Sequence, residues 1–198
     1  GAVVADSFSL QDPLLREKIS QKAYDLVIAL GGDGTMLRAG KFCAPFQVPV
    51  MGINMGTLGF LIEIHRDNWQ KYIPRLMNSE WKIEQRMMLN VKHFRGTLKL
   101  NEWEILNEVV VARGRTIRPI ELEISVSGSP LTTITADGLI TATATGSTAY
   151  AMAAGGPVLQ PEMRNMIVVP ISPHLSFDHA LVLQEGETVE IAVKNGYY

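Results

Sequence analysis

The chain has 198 residues, 46% apolar and 19% charged, a composition that supports one large or two small soluble domains with a real core. A formal net charge of -2 and scattered basic residues give no electrostatic footprint for nucleic acid or an anionic membrane, so neither is expected as a partner. No apolar stretch reaches the about 18 residues of a membrane span, and GAVVADSFSL (1–10) lacks the basic start and long apolar region of a secretion signal.

In chain order, AVVA (2–5) has the composition of a short strand, and PLLREKISQK (13–22) spaces its apolar residues as a helix does. YDLVIAL (24–30) is a continuous apolar run bounded by glycine, the pattern of a strand buried on both faces. GGDGT (31–35) follows, and TMLRAGKFCA (35–44) reads as a helix stopped by Pro45. Cys43, the only cysteine, cannot form an internal disulfide; it is expected to be a packing residue and fits a reducing cytoplasm. PVMGIN (49–54) is a second buried strand, MGTLGFL (55–61) a glycine-punctuated turn, and RDNWQKYIPRLMN (66–78) a surface helix kinked or split at Pro74. Strands alternating with helices predict an α/β domain with a parallel sheet over residues 1–78.

From residue 79 the texture changes. WKIEQRMMLNVKHF, WEILNEVVVAR, IELEISVSG, TTITADGLITAT and TVEIAVK are rich in β-branched residues, alternate with period two and are separated by turn residues. They predict a mostly antiparallel β domain over residues 79–198, interrupted by one helix of small residues, STAYAMAAGG (147–156). The chain opens on a strand-like segment and closes on VEIAVKNGYY, as if a strand had just finished. Flanking segments are therefore expected to be missing, with the second domain truncated at its C-terminal end.

Three clusters have the residue types for chemistry. Gly31, Gly32, Asp33, Gly34 and Thr35 lie where an open α/β sheet binds ligands, at the carboxyl end of a strand and the start of a helix. Glycines let backbone approach a phosphate. Asp33 repels phosphate unless a cation or a donor hydroxyl intervenes, so it points to metal coordination or proton abstraction. The competing reading is a plain strand–helix turn with Asp33 as helix cap. In the second cluster, Thr145-Gly146-Ser147-Thr148 offers hydroxyls and backbone N–H groups to an anionic or ribose-like ligand, or is a helix start capped by Ser147 or Thr145. In the third, Asn107-Glu108 interrupts an apolar strand; one of the pair faces inward and needs partners, or both are wet at a strand end. The four histidines show no metal-binding spacing, and no P-loop, GxGxxG or GxSxG motif is present, so no protein-only metal site is expected.

Taken together, GGDGTMLRA (31–39), PVMGINMGTLGFL (49–61), IEQRMML (83–89), LNEVVV (106–111), ADGLITATATGSTAY (136–150), GGPVLQP (155–161) and PISPH (170–174) resemble the NAD kinase family over nearly the whole chain. GGDGT alone is shared with lipid kinases of the diacylglycerol and sphingosine type; the ordered combination is more specific. The resemblance implies transfer of the terminal phosphoryl group of ATP, or of polyphosphate, to the 2′-hydroxyl of the adenosine ribose of NAD, giving NADP. It makes Asp33 the base or orienter of that hydroxyl, with Gly34 beside it, and brings Phe60 near the adenine. Asn107 and Glu108 would hold the nicotinamide-side ribose, and Asp137, Thr145, Thr148, Ala149 and Tyr150 would line the rest of the dinucleotide site. Gly31, Gly32, Gly34 and Thr35 would face the donor phosphates, with Mg²⁺ bridging them. A homodimer or homotetramer is implied as well, and a cytoplasmic location is expected. The chain departs from the family pattern at Thr57, at Ala144 in place of a usual proline, and at FDHAL (177–181), which lacks a common basic residue. A lipid kinase and a catalytically inactive dinucleotide-binding regulator are the alternatives.

Overall fold

The computed structural model describes residues 3–21, 24–56, 59–115, 117–174 and 177–194. The chain divides into two compact units, residues 1–84 and 85–198, and the division falls in the irregular stretch 80–88.

In the first unit, helix α1 (Pro13–Ser20) starts where the Asp12 side chain accepts the Leu14 N–H at 2.9 Å. Pro13 follows, at a position where the missing N–H removes no helical bond. Leu15 and Ile19, one turn apart, bury against Cys43 and Val48, with Val27 and Phe46 packed around them. Strands β1 (Val27–Gly31) and β2 (Val50–Asn54) pair in parallel from Val27↔Val50 to Gly31↔Asn54, joined by helix α2 (Asp33–Cys43). β3 (Ile64–His65), a strand the sequence pattern did not show, pairs in parallel with the far edge of β2. Cys43 is fully buried at the end of α2, and burial pushes its thiol up to about 11, the behaviour of a packing residue.

Several expectations fail here for simple reasons. Val3 and Val4 stand exposed outside any strand, because no neighbouring strand supplies a ladder; residue 2 lies outside the described residues, as does the end of the 13–22 helix at residue 22. Strand β1 is buried at Ala29 alone, while Ile28 and Leu30 point to a face that this unit leaves open. The 66–78 segment breaks before Tyr72, between a 3-10 turn (Trp69–Lys71) and helix α3 (Tyr72–Met77). Pro74 sits in the first turn of α3, where its missing N–H has no helical partner to lose.

The second unit is antiparallel throughout. β4 (Leu89–Arg95) and β5 (Leu98–Ile105) form a hairpin of their own, so the strand expected from residue 81 begins only at Leu89. β6 (Glu108–Ala112) belongs to a different sheet from β5, although WEILNEVVVAR reads as one strand. β7 (Ile120–Val126) and β8 (Ser129–Ala136) form a second hairpin. Across Asp137, β9 (Gly138–Thr143) leaves for the sheet of β6. Helix α4 (Tyr150–Ala153), β10 (Asn165–Ile171), β11 (Leu181–Gln184) and β12 (Val189–Val193) complete the unit. The sheets run β11-β10-β9-β6 and β12-β7-β8.

Every residue of β9 is buried. Leu139 faces Ile120, Leu122, Ile124 and Ile134 between the two sheets, while Ile140 and Ala142 face Ala151, Ile167 and Val169 on the other side. A strand buried on both faces explains why alternation misreads GLITAT. β10 escapes a pattern search for the same reason and because of Pro170, which lies beyond the last pair with β11, Val168↔Leu181. The expected 147–156 helix is a 3-10 turn (Thr145–Thr148) and four residues of α4, separated by Ala149, whose backbone (φ -99, ψ -129) is not helical. No helix among the described residues is long and apolar enough to cross a membrane.

Candidate functional site

The first unit places the glycine cluster at the carboxyl end of β1. Gly31 closes that strand, Gly32 is the N-cap of α2 without a side-chain hydrogen bond, and Asp33, Gly34 and Thr35 form its first turn. The Gly32 carbonyl accepts the N–H groups of Thr35 (2.9 Å) and Met36 (3.1 Å). Asp33 is therefore inside the helix and does not cap it. Its carboxylate reaches across to the 59–61 turn instead: Oδ2 accepts the Phe60 N–H at 2.8 Å and Oδ1 the Leu61 N–H at 3.2 Å. The Phe60 ring above that backbone is 67% exposed. A β-carbon at Gly32 or at Gly34 would meet nothing within 4 Å, and neither residue has a positive φ. Nothing described in this unit demands glycine there, and the space beside both residues is open. Thr57 lies outside the described residues.

In the second unit, Asn107 falls in the bend between β5 and β6, with Glu108 opening β6. The pair sits at a strand end, yet it is not wet: Asn107 Oδ1 and Glu108 Oε2 are buried without a hydrogen-bond partner. Burial raises the pKa of Glu108. An orphaned buried acceptor costs about 1–3 kcal/mol, so a donor brought by a ligand is a natural complement.

Thr143 fastens this bend to the hydroxyl-rich turn. Its N–H donates to the Asn107 carbonyl at 2.9 Å, and its Oγ1 donates to the Leu106 carbonyl at 2.5 Å while accepting the Gly146 N–H at 3.1 Å. Arg86 Nη1 donates to Thr145 Oγ1 at 3.4 Å. Ser147 Oγ donates to the Ala144 carbonyl at 2.6 Å and accepts the Leu159 N–H at 2.9 Å, tying the turn to the GGPVLQP segment. Neither Thr145 nor Ser147 caps a helix, contrary to the simpler sequence reading. Thr148 Oγ1 donates to the Thr145 carbonyl, and Tyr150 stands 45% exposed at the start of α4. Ala144 has φ -57, a value proline also adopts, so alanine there leaves the turn intact.

The structure thus brings Asn107 and Glu108 together with Thr145 and the residues that follow it. Asp137 lies elsewhere, at the opposite end of β9, roughly 20 Å along the strand from Thr145. There its Oδ1 pairs with Arg113 Nε at 2.8 Å, and its carbonyl accepts the Arg113 N–H at 3.0 Å. Sequence reasoning gave no role to Thr143, Arg86 or Arg113. Thr143 carried a signal, being with Thr141 one of two hydroxyl residues in a buried strand whose other members are apolar; the two arginines carried none. Among the described residues no three His, Cys, Asp or Glu side chains gather where they could hold a metal ion.

The two units are thus a parallel-sheet unit with a Gly-Gly-Asp-Gly helix start and an antiparallel unit with an Asn-Glu bend, an order shared with a known family. Residues 13–81 match the ATP-NAD kinase N-terminal domain and residues 106–197 the ATP-NAD kinase C-terminal domain. The NAD kinase of Chloroflexus aurantiacus is 41% identical over 174 residues, covering 88% of this chain and 63% of that protein. The NAD kinase of Natranaerobius thermophilus is 35% identical over 193 residues, covering 98% of this chain and 68% of that protein. Among solved structures, yeast NADH kinase complexed with NADH superposes with a TM-score of 0.78 at 33% identity, covering 86% of this chain and 50% of that one. An NAD kinase from Archaeoglobus fulgidus in complex with ATP superposes with a TM-score of 0.71 at 27% identity, covering 89% of this chain and 68% of that one. The chain belongs to the NAD kinase family. It spans 63% of the length of the Chloroflexus relative.

Proposed function

We propose that the complete protein phosphorylates NAD, transferring the terminal phosphoryl group of ATP to the 2′-hydroxyl of the adenosine ribose to give NADP. The observation that carries this reading is the Asp33 carboxylate, fixed by the Phe60 and Leu61 N–H groups beside two glycines that no protein neighbour requires. Phosphoryl transfer asks a protein mainly for positioning and charge neutralisation, and a ribose hydroxyl attacks poorly until a carboxylate aligns it or takes its proton. With each oxygen engaged by one N–H, Asp33 keeps lone pairs for that hydroxyl in a fixed direction. Gly31, Gly32, Gly34 and Thr35 would face the donor phosphates.

The second unit supplies recognition in this reading. Asn107 Oδ1 and Glu108 Oε2 are acceptors in want of donors, and ribose hydroxyls and a carboxamide are donors of the right kind. Phe60, Thr145, Thr148, Ala149 and Tyr150 would complete the dinucleotide contacts, while Asp137, paired with Arg113 at the far end of β9, stands apart from this group. A divalent cation such as Mg²⁺ would arrive on the ATP phosphates, since among the described residues no three His, Cys, Asp or Glu side chains gather into a cage for it. That ion would neutralise charge on the transferring group. We further assign a cytoplasmic homodimer or homotetramer.

The test is a coupled assay for NADP formation from NAD, ATP and Mg²⁺ with the full-length protein. NADP produced in proportion to enzyme supports the reading. A protein that binds NAD by calorimetry and makes no NADP with ATP or polyphosphate is a regulator instead.

A further inference from the structure

Gly59 stands against the Asp33 carboxylate. A β-carbon built on Gly59 would collide with Oδ1 and lie 2.6 Å from Cγ and 2.7 Å from Oδ2. The backbone at Gly59 is not in the left-handed region, so alanine there meets no conformational strain. What an added methyl displaces is the end of a side chain, which can swing, and not backbone or core.

We propose that Gly59 is a positioning residue: its missing side chain is the space in which the Asp33 carboxylate is held against the Phe60 and Leu61 N–H groups. The Asp33 side chain and the 59–61 turn then form a single unit. The carboxylate orders the turn through two hydrogen bonds, and the turn in return fixes the direction of the carboxylate. A methyl at position 59 rotates the carboxylate off both donors while leaving the packed elements of the unit untouched. Ala29, Ala39, Cys43 and Ile53 are buried in that unit, and the three atoms nearest the added methyl all belong to the Asp33 side chain. The catalytic consequence rests on the function proposed above, because displacing a reacting group by about 1 Å costs on the order of 10²-fold in rate.

The experiment compares wild type, Gly59→Ala, Asp33→Ala and the double variant of the full-length protein, by amide hydrogen exchange and by NADP-forming kinetics. In wild type the Phe60 and Leu61 amides exchange slowly; in Gly59→Ala they are expected to exchange as fast as in Asp33→Ala. The double variant should show no further loss, since two changes acting through one contact are not additive. In the assay, Gly59→Ala is expected to lower kcat roughly 10- to 100-fold with the NAD KM within about threefold. Unchanged amide protection in Gly59→Ala overturns the proposal, as does a kcat equal to wild type. If Gly59→Ala melts far below wild type, restoration by the added Asp33→Ala change supports the same contact, and no restoration overturns it. Wild type that makes no NADP defeats the functional reading alone, while amide exchange still decides this one.

Discussion

Gly146 lies flat against the peptide of Asn107: a β-carbon at Gly146 would strike the Asn107 carbonyl oxygen and come within 2.5 Å of its carbon and 2.9 Å of its Cα. Here the obstacle is backbone, which cannot swing aside as a carboxylate can. Gly146→Ala is therefore expected to force the Asn107 bend and the Thr145–Thr148 turn apart, at a cost of about 1–3 kcal/mol. Urea denaturation measures the loss, and calorimetry with NAD should show weakened binding in the fraction that folds. A variant as stable as wild type contradicts the packing.

Thr143 holds the same two segments by hydrogen bonds. Thr143→Val keeps the shape but leaves the Leu106 carbonyl without its donor and the Gly146 N–H without its acceptor. With Thr143 fully buried, the expected loss is about 1–3 kcal/mol by urea denaturation. Thr143→Ser retains the hydroxyl and should recover most of it.

Glu108 makes stability depend on pH. Burial raises its pKa above the ordinary 4.5, so the folded chain holds this proton over a range where the unfolded chain has released it. Stability tied to this group is fully present below pH 4.5 and is lost as pH rises through the raised folded value. Glu108→Gln removes the titration. Denaturation midpoints of the variant and wild type should therefore diverge as pH rises from 4.5, in favour of the variant, and parallel curves would count against a desolvated carboxyl.

Much of the fold could be read from the chain. Apolar runs next to glycine gave β1 and β2, and period-two alternation gave β7 and β12. Local pattern failed where tertiary contacts decide the outcome. WEILNEVVVAR has the composition of one strand interrupted only by Asn107-Glu108, yet the chain bends there, where the Asn107 carbonyl accepts the Thr143 N–H, and its two halves belong to different sheets. β9 is buried on both faces because a second sheet covers one and α4 packs on the other, a fact no window of its own residues contains.

The site was legible to the same extent. GGDGT marked a strand-to-helix loop at the carboxyl end of β1, but the bonds of its aspartate depended on residues 27 and 28 positions further along the chain. The competing cap reading of Asp33 and the bond to Phe60 are equally compatible with the local sequence; only the folded turn separates them. Arg86 and Arg113 likewise reach their partners through the fold, at Thr145 and Asp137.

The central claim is that Asp33 serves the transfer itself. The most direct measurement is the NADP-forming assay with NAD, ATP and Mg²⁺ on the full-length protein and its Asp33→Asn variant, with NAD affinity measured in parallel. Asparagine keeps the size of the side chain and one acceptor oxygen but loses the charge. The account predicts turnover lower by roughly 10²–10⁴-fold, the range of general-base assistance, with NAD affinity within about tenfold of wild type. Turnover near the wild-type value would contradict it and remove Asp33 from the chemistry.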